Sequence, residues 1–236
     1  MAGMKRTGGG ETAKRHAGER AAEAIDDGDV VGLGTGSTAA HAIRALGRRV
    51  DAGLDVTGVA TSFQSRELAR EVGVPLTTLD EAGNVDIAID GADQFDQETG
   101  ALIKGGGAAH AREKVVDASA DRFLVVADPT KVARGLDASV PIEVLPAARR
   151  PVGTEIDALG GEPTLRRAER KDGPVVTDNG NLVLDCAFGA LANPGALAAD
   201  LASIPGVVAH GLFVDLADAV LVGTDEDVER YDYAAE

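Results

Sequence analysis

The sequence predicts an α/β protein: a mostly parallel sheet covered by helices on both faces, with a smaller α+β unit inserted into it. Three observations predict this. Short apolar runs alternate with stretches of helical period between Glu11 and Asp128, the order that builds parallel sheets. Several of those runs end in glycine-rich or acidic turns, as at Gly34–Gly36 and Asp90–Asp93. After about Gly135 the rhythm changes to β-α-β-β-α, the order of a ferredoxin-like unit.

Residues Met1–Gly10 are glycine-rich and polar and are expected to be disordered. From Glu11 to Asp27, Ala13, Ala17, Ala21, Ala24 and Ile25 follow helical spacing, and Gly28 ends the helix. A short strand, the turn Gly34-Thr-Gly36 and a helix from Ser37 to about Val50 come next. Asp55–Ala60 and Val85–Asp90 read as strands, with Phe63–Val72 as the helix between them. Arg122–Asp128 is a further buried strand. In the insertion, Val140–Leu145, Pro163–Ala168 and Asn181–Asp185 read as strands, and Ala148–Leu159 and Pro194–Ser203 as helices. Gly206–Val214 and Ala219–Gly223 supply returning strands, and the acidic stretch from Asp225 reads as a frayed tail. The expected division is therefore a Rossmann-like catalytic domain over 1–136 plus 207–236, with a ferredoxin-like insertion over 137–206.

The chain has 236 residues, a formal net charge of −16, and aromatic residues at only 3%, without Trp. Its core must be built from Ala, Val, Leu and Ile. An acidic surface repels phosphate backbones, which excludes non-specific nucleic-acid binding. An anionic ligand would need a local positive pocket. The charge is spread along the chain, as in proteins of high-salt cytoplasm. The single cysteine, Cys186, excludes an intrachain disulfide and cysteine-based metal clusters; in its apolar run it reads as a buried, inert thiol. No apolar run approaches membrane-spanning length, and the N-terminus lacks the apolar stretch of a signal peptide. The expectation is a cytoplasmic protein without membrane contact.

The most informative stretch is Lys104-Gly-Gly-Gly-Ala-Ala-His-Ala-Arg-Glu-Lys114. Three glycines cannot pack a core, but they let the backbone approach a ligand with its N–H groups available. They open a helix, whose N-terminus suits an anion. Lys104 adds a cation, and Glu113 a carboxylate about two turns into the helix. Gly34-Thr-Gly-Ser-Thr38 offers the same mechanics, although its spacing fits neither a dinucleotide fingerprint nor a Walker loop. Asp90-Gly-Ala-Asp93 places two carboxylates at the C-terminal end of a strand, where open α/β sheets hold ligands.

In this order and spacing, these three motifs resemble ribose-5-phosphate isomerase of the A type. The likeness extends through Val175–Asn181 and Ile204–Val208 to Gly211-Leu-Phe213. It implies an isomerase interconverting D-ribose 5-phosphate and D-ribulose 5-phosphate, with no cofactor and no metal, as a homodimer or homotetramer. Glu113 would be the proton acceptor, with Asp90, Asp93 and Lys104 also catalytic. Thr35, Gly36, Ser37, Thr38, Gly91, Ala92, Gly105, Gly106, Gly107 and Lys131 would join Asp90, Asp93 and Lys104 in binding the substrate, and Lys14 would be a further anion contact. Gln94 departs from the family pattern, which often has an acid there. The four histidines have no paired spacing for a metal.

The chemistry suits these residues. Moving a proton between C2 and C1 through an enediolate needs one base and a stabilised oxyanion. Glu113 can be the base, Lys104 and the glycine amides can hold the oxyanion, and Asp90 or Asp93 can shuttle protons as the sugar ring opens. Two other readings use the same residues. A non-catalytic sugar-phosphate sensor would keep the phosphate loop without needing Glu113, Lys104 and Asp90 together. A coenzyme A transferase-like enzyme would use Glu113 as a nucleophile and form a covalent glutamyl adduct.

Overall fold

The computed structural model describes residues 10–233. The chain begins with α1 (Glu11–Ala22), β1 (Val30–Leu33), α2 (Ser37–Asp51), β2 (Thr57–Ala60), α3 (Phe63–Glu71), β3 (Leu76–Thr77), α4 (Leu79–Ala82) and β4 (Val85–Gly91). A hairpin of β5 (Gln94–Asp96) and β6 (Leu102–Ile103) precedes α5 (His110–Ala118), β7 (Ala120–Ala127) and β8 (Val132–Ala133). The inserted elements are β9 (Val140–Val144), α6 (Arg149–Ala158), β10 (Glu162–Leu165), β11 (Leu182–Ala187), α7 (Pro194–Ser203) and β12 (Val207–His210). The remaining strands are β13 (Leu212–Phe213), β14 (Ala219–Gly223) and β15 (Val228–Asp232). Of the stretch expected to be disordered, residues 1–9 lie outside the described residues, whereas Gly10 is the N-cap of α1, its carbonyl accepting from Lys14 N–H at 3.2 Å.

Contacts divide the chain into two compact units. Of the described residues, the first contains 10–92, 112–132 and 215–233. Its sheet has the order β15-β14-β7-β4-β1-β2-β3, parallel throughout except for the β14–β15 pair. The buried runs of β1, β4, β7 and β14 occupy the middle, as strands covered on both faces must. Among the described residues the main core cluster of this unit is wholly aliphatic. Small residues let its helices come close. A Cβ on Gly223 would stand 1.9 Å from the Ala13 carbonyl oxygen, so α1 lies directly on β14. The acidic stretch after Asp225 is not a frayed tail. Val228–Asp232 pairs antiparallel with β14, which supplies the hydrogen-bond partners an edge strand would otherwise lack.

The second unit contains residues 93–111 and 133–214. The β5–β6 hairpin belongs to this unit because β6 pairs with β13, which follows the inserted elements in sequence. Its larger sheet has the order β10-β11-β9-β12, with every neighbour antiparallel. That is the strand order of a ferredoxin-like unit, with α6 and α7 as its helices. A second aliphatic cluster centred on Val140, Ile142, Val152, Ile156 and Leu201 forms its core. Glu143 is fully buried in β9, and its Oε1 accepts from Thr177 Oγ1, Asn179 Nδ2 and Asn181 Nδ2 at 2.8–3.0 Å. The Val175–Asn181 motif is thus a turn tied to a buried carboxylate. Cys186 is buried, and burial, aided by the Asp185 and Asp157 carboxylates, pushes its thiol pKa up. The burial is as expected.

Candidate active site

In the sheet unit, the chain passes from the β3 edge back to β4 on the other side of β1. The order reverses between β1 and β4, and open α/β sheets hold ligands at such a switch point, beyond the C-terminal strand ends. Gly34–Gly36 follows β1 there, and Asp90 stands near the end of β4. Asp90 is fully buried. Its Oδ1 accepts from Thr35 N–H at 2.9 Å and from Gly91 N–H at 2.6 Å. A Cβ at Gly34 would lie 2.3 Å from this carboxyl. Glycine at 34 is what lets Asp90 lie across the turn.

Gly36 has φ +116° and sets α2 at its angle to the turn. The first turn of α2 has no side-chain cap and no acidic residue, so its orphan N–H groups and partial positive charge suit an anion. Ser37 is exposed and Thr38 buried beside them. The Thr35 Oγ1 lies 2.8 Å from Thr61 Oγ1 and donates to Ser62 Oγ at 2.7 Å. Glu113 stands in the first turn of α5 rather than two turns in, because the helix begins at His110 and not at the glycines, and it is buried with 4% of its surface exposed. The Arg112 guanidinium lies over the Phe63 ring at 5.2 Å, a contact between α5 and α3. Lys114 beside Glu113 is lowered to a pKa of about 8 by burial. At the end of β7, Asp128 Oδ1 accepts from Thr130 N–H (2.9 Å) and Thr130 Oγ1 (2.5 Å), capping the turn that carries buried Lys131. Lys14 is half-buried on α1.

The second unit holds the glycine loop. Lys104 is 2% exposed; its N–H donates to the Gly211 carbonyl at 2.8 Å, and its Nζ lies 5.3 Å from the centre of the Phe213 ring. Gly105 has φ +105°, and a Cβ there would meet His110 Nδ1 at 2.7 Å. A Cβ on Gly106 would meet Asp93 Oδ1 at 2.6 Å. Two of the three glycines are therefore required by close approach. Gly106 N–H donates to Asp93 Oδ2 at 2.6 Å, and Asp93 N–H to the Ile103 carbonyl at 2.8 Å. Asp93 thus holds the loop with one oxygen. The Ala108 N–H closes the turn onto the Gly105 carbonyl at 2.9 Å, with Ala108 itself at φ +59°. Gln94 is buried, and both of its polar atoms are used. Its Oε1 accepts from Asp137 and Ala138 N–H, and its Nε2 donates to Asp137 Oδ1 at 2.6 Å. The departure at 94 ties the hairpin to the 137–138 backbone.

Sequence reasoning missed Thr61 and Ser62, which orient Thr35, and Gly211, which receives Lys104. It also missed Arg166 and Asp185. Asp185 carried a usable signal: a carboxylate inside Leu182-Val-Leu-Asp-Cys-Ala187 needs a partner when the strand is buried. Among the described residues no three His, Cys, Asp or Glu side chains gather as a metal site, and no helix is long and apolar enough to cross a membrane.

The family model for ribose 5-phosphate isomerase A (phosphoriboisomerase A) matches residues 57–227. The chain belongs to that family. Ribose-5-phosphate isomerase A of Halorubrum lacusprofundi is 68% identical over 95% of this chain and 98% of its own. The Methanothermobacter thermautotrophicus isomerase A is 53% identical, covering 92% and 96%. Among solved structures, the Methanocaldococcus jannaschii isomerase A superposes with TM-score 0.89 at 43% identity, over 93% of this chain and 97% of that one. A ribose-5-phosphate isomerase in complex with phospho-erythronic acid superposes with TM-score 0.91 at 40% identity, over 96% and 100%. The Rossmann-like sheet with its ferredoxin-like insertion is thus the isomerase A fold.

Proposed function

We propose that this isomerase A chain interconverts D-ribose 5-phosphate and D-ribulose 5-phosphate through an enediolate, with Glu113 moving the proton between C2 and C1. The observation that carries the assignment of the base is local. A glycine loop of fixed conformation opens α5, and the first turn of that helix carries a buried carboxylate. Burial shields Glu113 from bulk water, the condition for a carboxylate to hold and return one proton. Lys104 and the loop amides stabilise the enediolate oxygen, as preformed donors do. Asp93 keeps Oδ1 for a sugar hydroxyl, since Gly106 occupies its other oxygen. Asp90 shares the ring-opening proton transfers. The uncapped first turn of α2, with Gly36, Ser37 and Thr38, and Lys131 take the charged and hydroxylated parts of the substrate; Gly91 and Ala92 line it through their backbone.

The complex with phospho-erythronic acid supports this reading. A phosphorylated sugar acid carries a planar, delocalised anion at the end where an enediolate would form. The proposed reaction uses no metal and no cofactor, and the enzyme works in the cytoplasm as a homodimer or homotetramer. Turnover of ribose 5-phosphate, followed with EDTA present in low and high salt, tests the assignment against Glu113→Gln. Activity that survives EDTA and falls roughly a thousandfold in the variant is the expected result. Wild-type rates in the variant would remove Glu113 from the mechanism, and loss of all activity in EDTA would replace a metal-independent reaction.

A further inference from the structure

Arg166 follows β10 and is held from two sides. Its Nε donates to Asp185 Oδ2 at 2.9 Å, and its Nη2 pairs with Asp185 Oδ1, a bidentate contact. Both side chains are largely buried, at 15% and 7% exposure. The opposite edge of the guanidinium faces the glycine loop. Nη1 donates to the Gly105 carbonyl at 2.8 Å and to the Gly106 carbonyl at 3.2 Å.

Those two carbonyls belong to the two successive peptide groups of the loop. The Gly105–Gly106 peptide is then bound at both ends, its carbonyl by Arg166 and its N–H by Asp93. The Gly106–Gly107 peptide is bound only at its carbonyl. Gly107 is exposed, and its N–H has no acceptor among the described residues. Because a peptide is planar, fixing the carbonyl fixes the direction of the N–H on its other side. A guanidinium on the carbonyl also draws charge away from the N–H and strengthens it as a donor.

We propose that Arg166, oriented by Asp185, is a positioning residue that aims the Gly107 amide at the substrate's developing oxyanion. Consecutive glycines have the widest conformational choice of any residues, so a loop of them is preorganised only if something outside it selects one conformation. Arg166 makes that selection from just beyond β10, sixty residues away in sequence from Gly106. The rigid planar fork reaches the carboxylate and both carbonyls at once. A lysine, a point charge on a flexible stem, cannot.

This inference rests on the isomerase reading, so the unaltered chain is assayed alongside every variant. Arg166→Lys and Asp185→Asn should fold, with unchanged circular dichroism. Both should lower kcat about 10- to 100-fold with little change in KM, because a donor displaced by about an ångström fails mainly in the transition state. Arg166→Ala should regain turnover on adding guanidinium at non-denaturing concentration, and not on adding sodium at equal ionic strength. A merely structural arginine would show no such selective rescue. Unchanged kcat in Arg166→Lys, or equal rescue by sodium, would overturn the proposal while the unaltered chain remains active. Inactivity of the unaltered chain would overturn it by removing the isomerase reading on which it rests.

Discussion

Gly211→Ala is a sharp test of how the second unit holds Lys104. A Cβ at 211 would stand 2.2 Å from the Lys104 carbonyl oxygen and 2.7 Å from Pro141 Cδ. Ordinary van der Waals contact begins near 3.4 Å, so Lys104 must move by about an ångström. Gly211 cannot retreat instead, because its N–H is bound to the Pro141 carbonyl at 2.7 Å. The substitution therefore costs about 1–3 kcal/mol in overpacking. Loss of the Lys104 N–H bond to Gly211 adds about 1 kcal/mol. The same shift displaces the Lys104 ammonium, and an ångström of misplacement lowers turnover about a hundredfold. Gly153→Ala, on α6, is the control. Its nearest neighbour would be Pro163 Cγ at an ordinary 3.8 Å, so it should be neutral or stabilising by up to about 1 kcal/mol. Urea unfolding and ribose 5-phosphate turnover, both in high salt, read the two effects. Wild-type stability and turnover in Gly211→Ala would refute the reasoning.

Three further outcomes are expected. Gln94→Glu should destabilise by about 1–3 kcal/mol at neutral pH, since a second carboxylate would replace the amide that donates to Asp137. The buried Glu would have a raised pKa, so the loss should disappear on acidification below about pH 4, and a pH-independent loss would contradict it. Lys114 has a folded pKa of about 8 against an ordinary 10.5. Between those values the unfolded chain holds more protons, so this group makes stability rise with pH across the window. Lys114→Met should flatten that rise in denaturation curves taken at pH 8 and 10; an unchanged slope would show that Lys114 is not desolvated. Ala108→Gly relieves a left-handed alanine at φ +59°. It should stabilise by about 0.5–1 kcal/mol in thermal unfolding, the steric relief exceeding the added freedom of the unfolded chain.

Much of the molecule was legible in the sequence because the governing signals are local. The alternating apolar runs specify the parallel sheet. Gly34–Thr38 and Lys104–Gly107 announce backbone meant for a ligand, and Pro194–Ser203 carries its own start signal in the Asn193 cap. Three motifs in order were enough to point to the family. The acidic stretch after Asp225 was misread because its composition is that of a tail, whereas its pairing with β14 depends on an edge only the folded sheet provides.

What the sequence by itself determined is the set of elements and the residue types that carry the chemistry, since turns, caps and periodicity act over a few residues. Tertiary structure alone decided how those groups are aimed. Nothing near Lys104 indicates that Gly211 must lack a side chain, or that Arg166 takes the carbonyls of Gly105 and Gly106. Nor does Thr35 show that its hydroxyl turns inward to Thr61 and Ser62. Such contacts join residues tens of positions apart, and their directions follow from sheet register and strand order, which no local pattern encodes.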